Sequence, residues 1–74
     1  MNWREYIDTD PKILSGKPLI KGTRLSVDFL LGLFAEGWTE KRILENYSHL
    51  SRESLQALFA FSAECMQEAL VQFD

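Results

Sequence analysis

The stretch LSVDFLLGLFAEGWTEKRILENYSHLSRESL, residues 25–55, repeats one device: an apolar residue, a Ser or Thr, and a second apolar residue four positions past that hydroxyl. It appears as Leu25-Ser26-Leu30, Trp38-Thr39-Ile43 and Leu50-Ser51-Leu55. A hydroxyl at that place accepts an orphan amide of the first helical turn, and the two flanking apolar groups close over the entry as a hydrophobic staple. Each first turn also carries an acid, Asp28, Glu40 and Glu53, where it complements the positive end of the helix dipole. Three helices are therefore predicted. The first runs over 27–36 with Val27, Leu30, Leu31 and Phe34 on one face, and Gly37 stops it. The second covers 40–47 with Ile43, Leu44 and Tyr47 on one face, and residues 48–51 link it to the third. The third has Leu55, Leu58, Phe59, Ser62, Met66, Ala69, Leu70 and Phe73 along one side, a stripe wider than a single core requires.

Upstream, residues 1–24 form an arm of turn chemistry. Asp10-Pro11 and Ser15-Gly16 favour turns, and a short β-hairpin is expected with Ile13-Leu14 against Leu19-Ile20. Pro18 places the second run at a strand start or a sheet edge, an edge that Leu19 and Ile20 would offer to a second copy. Asp8 and Asp10 read as turn formers in a mobile polar segment, since nothing nearby would desolvate either carboxyl for acid–base work. The expected fold is mainly α: one domain over 1–74, with an N-terminal β-arm (1–24) and a three-helix, homeodomain-like bundle (25–74) of the helix-turn-helix kind.

Composition narrows the function classes. A chain of 74 residues buries about 60% of its unfolded surface, so its core is marginal and a homodimer is the expected reinforcement. Cys65 is the sole cysteine and His49 the sole histidine, which excludes an internal disulfide and a four-ligand zinc site. No activated nucleophile can be assembled from this set, so no enzymatic activity, metal or cofactor is expected. The first residues include Trp3, Arg4, Glu5 and Asp8 with no apolar run of signal-peptide length, and no stretch is long enough to span a membrane, so a cytoplasmic location is expected.

Net charge is −3, unfavourable for a non-specific nucleic-acid binder, yet Lys12, Lys17, Lys21 and Arg24 fall between residues 12 and 24 with no acid among them. Lys17, Lys21 and Arg24 are thus candidates for phosphate contact or partner docking, while Arg24 has a competing structural role, offering its donors to helix-end carbonyls or to an acid on the bundle. Gly16, Pro18 and Gly22 read as backbone geometry, because the phosphate-cradling spacing GxxxxGK[ST] is absent. As base readers at the start of the third helix the candidates are His49, Arg52 and Gln56, with Glu53 opposing phosphate nearby. The surplus apolar residues Phe61, Cys65, Leu70 and Phe73 are candidates for a dimer or partner interface.

Gly-Lys-Pro-Leu-Ile-Lys-Gly-Thr-Arg at 16–24, following Asp10-Pro11 and preceding three short helices, resembles the bacterial and archaeal domain-of-unknown-function family four-three-three. The resemblance covers nearly the whole chain. It implies a homeodomain-like trihelical fold with a β-arm, often dimeric, acting as an antitoxin beside a PIN-like ribonuclease toxin and repressing its own operon. The alternative is a protein-docking module with the same fold that binds no DNA.

Overall fold

The computed structural model describes residues 1–12 and 14–71. Two short antiparallel strands, β1 (Ile7–Asp8) and β2 (Leu19–Ile20), precede three helices, α1 (Val27–Ala35), α2 (Glu40–Asn46) and α3 (Arg52–Val71). One-turn 3-10 segments at Trp3–Glu5 and Leu14–Gly16 complete the arm.

The helix starts follow the hydroxyl pattern. Ser26 Oγ accepts the Phe29 amide at 3.2 Å and Thr39 Oγ1 the Arg42 amide at 3.1 Å. At α3 the cap is reciprocal: Ser51 Oγ accepts from the Ser54 amide at 3.1 Å, and Ser54 Oγ accepts from the Ser51 amide at 2.9 Å. Here a serine does what Glu or Gln does in the usual capping box, which explains why the polar Ser54 is buried. Helix α1 ends in a Schellman motif, with the Trp38 amide donating to Leu33 O and the Gly37 amide to Phe34 O, both at 3.0 Å. Gly37 takes φ +95°, a left-handed conformation costly for any residue with a Cβ. Helix α2 stops at Asn46, one residue short of the expected end, because Tyr47 leaves helical geometry at φ −127°, ψ 78°.

The arm differs from the expected hairpin. The partner of β2 is β1, in the register Ile7↔Ile20 and Asp8↔Leu19. Leu14 instead belongs to a 3-10 turn, and Ile13 lies outside the described residues. Ser15 (φ 58°) and Gly16 (φ 80°) are successive left-handed residues, which turn the chain back on itself and leave no extended run at Leu14. Ile7 and Ile20 pair with both side chains in the core.

Nor is β2 an open edge. On its far side the Ile20 amide donates to Leu25 O at 3.0 Å, the Val27 amide donates to Pro18 O at 2.9 Å, and Leu19 bridges Ser26. Leu19 and Ile20 are 5% and 4% exposed, so the two residues expected to meet a second copy are spent on the protein's own core.

The core joins Ile7 and Ile20 to Val27, Leu30 and Leu33 of α1, Ile43 of α2, Leu50 of the turn, and Leu55, Ala57 and Leu58 of α3. The N-terminal residues are anchored. Trp3 meets Phe61 edge-on with ring centroids 4.9 Å apart, and its Nε1 donates to Glu64 Oε2 at 2.7 Å. Arg4 lies 4.3 Å over the Trp3 ring and 3.5 Å from the same carboxylate. An aromatic pair of this geometry contributes about 0.5–1.5 kcal/mol beyond its buried area. Asp10 forms the turn expected of it, Oδ1 accepting the Lys12 amide at 2.9 Å.

Candidate nucleic-acid interface

Helices α2 and α3 are joined by residues 47–51, with Leu50 driven into the core and Ser48 and His49 left exposed. At the start of α3 the inward positions are Ser54, Leu55, Ala57 and Leu58, while Arg52, Glu53 and Gln56 face outward. The helical period thus places three of the polar residues at the start of α3 on one accessible face. Arg52 is not a free cation: its Nε is 3.3 Å from Glu40 Oε1. Both side chains are largely solvated, so the pair adds about 0–1 kcal/mol and is readily exchanged.

The basic run of the arm is one cluster in sequence and three places in space. Lys17 bonds Asp28 Oδ2 at 3.1 Å beside an apolar groove lined by Pro18, Val27, Leu31 and Phe61. Hydrogen bonding from the Ser26 hydroxyl, and then from the Lys17 ammonium, holds the Asp28 carboxyl below the ordinary carboxylate range. Lys21 lines a different depression, shared with Asp8 and Asp10.

Arg24 goes elsewhere. It lies in a turn fixed by Thr23, whose hydroxyl donates to Ile20 O at 2.8 Å and accepts the Leu25 amide at 3.0 Å. Among the described residues no ion pair involves Arg24. Instead it lines a cleft of about 420 Å³ with Gly22, Asn46, Tyr47, Ser48 and His49. A second depression of about 300 Å³, with Leu25 and Phe29, opens on the other side of the same arginine. The structure therefore places Arg24 and His49, 25 positions apart in the sequence, in one cleft whose lining includes neither Lys17 nor Lys21.

Sequence reasoning missed Asn46, Tyr47 and Phe29 as members of this region. Asn46 is fixed by its own Nδ2 donating to Arg42 O at 2.8 Å, and Phe29 and Tyr47 meet edge-on at 6.0 Å. Gly22, at φ +78° with open space where a Cβ would be, was the one local signal that the chain turns here.

Of the apolar candidates, Phe61 is half-buried under Trp3, while Cys65 is exposed. The side chain of Leu70, and Phe73 altogether, lie outside the described residues. Among the described residues the exposed large apolar side chains on α3 are Phe59 (51%) and Met66 (65%), with Phe59 tilted against Phe34 at 5.1 Å. Among the described residues no three His, Cys, Asp or Glu side chains converge to hold a metal ion, and no helix is long and apolar enough to cross a membrane.

Residues 7–62, from β1 to the middle of α3, match the sequence profile of the family described as protein of unknown function (DUF433). The chain belongs to the DUF433 family. A crystal structure of a DUF433 member from Anabaena variabilis ATCC 29413 is similar in fold, with a TM-score of 0.77 at 27% identity over 84% of this chain. This DUF433 chain spans 61% of that protein's length. No curated protein sequence matches it. The DUF433 match takes in Arg24, His49, Arg52 and Gln56, whereas Trp3 and Glu64, which tie the N-terminus to α3, lie on either side of it.

Proposed function

We propose that this chain is a helix-turn-helix DNA-binding protein of the antitoxin type, which neutralises a PIN-like ribonuclease toxin by direct contact and represses its own operon. The observation that carries the DNA-binding part is the arrangement of α2, a five-residue turn and α3, in which Arg52, Glu53 and Gln56 face outward from a helix whose other face is committed to the core. A helix so presented fits the major groove, and arginine and glutamine are side chains that read guanine and adenine edges. The antitoxin part is supported by the family resemblance of the Gly16–Arg24 motif. Within this proposal a second copy is met through the exposed α3 residues Phe59, Cys65 and Met66, since β2 has no edge to give. Sedimentation equilibrium reads this directly, and a monomer at every concentration removes the dimer.

The deciding experiment titrates the purified protein against its own promoter DNA across a salt series, alone and with the protein encoded beside it. Sequence-dependent affinity that weakens with salt is expected. Absence of binding in both arms at every salt concentration eliminates the repressor role.

A protein-docking module is the second reading, favoured by the pairing of Lys17 and Arg52 with acids and by the exposed Phe59 and Met66. Replacing Lys17 and Lys21 by Glu discriminates: unchanged promoter affinity with loss of the partner protein assigns the basic arm to protein docking.

A further inference from the structure

We propose that the cleft between residues 22–25 and 46–49 seats one backbone phosphate of duplex DNA, with Arg24 as its principal ligand and His49 as the second donor; this rests on the DNA-binding reading above. Selectivity of charge is the first ground. In a chain of net charge −3, three other surface depressions each contain a carboxylate: Asp8 and Asp10 in one, Glu40 and Glu45 in another, Asp28 in the third. The two depressions that meet at Arg24 contain none. An anion approaching there meets a guanidinium and an imidazole with no lining acid to oppose it.

Availability is the second ground. Arg4, Lys17 and Arg52 each lie within 4 Å of an acid, and Arg42 stacks 3.8 Å over Trp38, so these four cations have partners inside the protein. Arg24 has no acid partner among the described residues. Its planar fork matches two phosphate oxygens at once, which a lysine cannot do.

Preorganisation is the third. The Thr23 hydroxyl clamps one wall by its two hydrogen bonds, and Asn46 tied to Arg42 O steadies the other. Tyr47, edge-on to Phe29, supplies an apolar wall held in place by that aromatic contact. His49 lies in the turn that leads into α3, so an anion held here is a backbone contact made beside the outward face of that helix, which is how phosphate contacts set the register of a base-reading element.

The test has two arms, using wild type, R24Q, H49Q and, as a control at an exposed position outside the cleft, K12Q. In the first, amide resonances are followed while inorganic phosphate replaces chloride at constant ionic strength. Shifts confined to residues 22–25 and 46–49 are expected in wild type and K12Q, weakened in H49Q and lost in R24Q. In the second, affinity for duplex DNA is measured against salt. Each phosphate contact contributes about −0.9 to the slope of log K against log salt, so on a fourfold rise in salt wild type should lose about threefold more affinity than R24Q. That loss should be the same for all duplex sequences, since a phosphate contact carries no base information. An unchanged slope in R24Q, or phosphate shifts that ignore the cleft, overturns the proposal even if wild type binds DNA. Phosphate shifts at the cleft in a protein that binds no duplex sustain an anion seat for free phosphate, refute the DNA source, and remove the helix-turn-helix function with it.

Discussion

Ser51 and Ser54 hold the start of α3 through a closed set of bonds, and removing them one at a time and together should show that they act as a unit. Ser51 Oγ accepts the Ser54 amide at 3.1 Å; Ser54 Oγ accepts the Ser51 amide at 2.9 Å and donates to Ser51 O at 2.7 Å; the two hydroxyls are 3.3 Å apart. Ser51→Ala deletes the N-cap, at a cost of about 1 kcal/mol. Ser54→Ala strands the Ser51 amide at a position where Ser54 itself is 4% exposed, and a lost hydrogen bond there also costs about 1 kcal/mol. Independent losses would sum to about 2 kcal/mol. Because each hydroxyl orients the other, the double variant should recover a coupling of about 0.5–1 kcal/mol. For a domain of this size 1 kcal/mol moves the midpoint by about 4–8 °C, so each single variant should melt about 4–8 °C lower and the double about 2–8 °C above the additive value. Thermal and urea denaturation followed by far-ultraviolet circular dichroism measure all four proteins. Additivity within about 0.3 kcal/mol, or a neutral Ser54→Ala, refutes the reciprocal cap.

Leu58→Ala, at a fully buried position, should cost about 2–5 kcal/mol out of a total of about 4–11 for a chain of this length, visible as a large fall in the urea midpoint. The two helix-associated glycines should respond in opposite directions although both have open space around a built Cβ: Gly37→Ala, at φ +95°, should lose about 1–2 kcal/mol, whereas Gly32→Ala inside α1 should gain about 0.5–1 kcal/mol. Asp28 has its folded pKa depressed by Ser26 and Lys17, so its contribution is present above the unfolded value near pH 4 and is lost as pH falls through the lower folded value. Asp28→Asn should therefore flatten the acid limb of the stability curve below about pH 4, with only a small change at neutral pH because the pair is exposed. Trp3→Phe keeps an edge toward Phe61 but loses the bond to Glu64, and hydrogen exchange should show faster opening of the Trp3–Glu5 turn with the core amides unchanged.

Legibility followed the range of the interaction. The helix starts at Ser26, Thr39 and Ser51 were readable because a cap, its staple and its first-turn acid all fall within six residues, and Gly37 was readable because a left-handed stop is a property of one residue. The strand partner of Leu19–Ile20 was not. Ile7 and Ile13 are both isoleucines beside turn-forming residues in the sequence, and the pairing of Ile7 with Ile20 depends on a core that exists only once α1 and α3 are in place. The interface candidates divided in the same way: Phe61 reads as surplus along α3 until Trp3, 58 positions away, is found against it.

By itself, then, the order of residues determined three helices, their beginnings, the stop after α1 and the lack of residue types for a disulfide or a zinc centre, all settled by short-range sterics, hydrogen bonding and composition. Tertiary structure alone decided that β2 is enclosed on both sides, that the N-terminal turn is pinned to Glu64, and that the basic run is dispersed so that Arg24 joins His49 while Lys17 meets Asp28. The reason is physical: which cation meets which acid, and which is left facing a cleft, depends on distances across elements, and those are fixed only by packing the core.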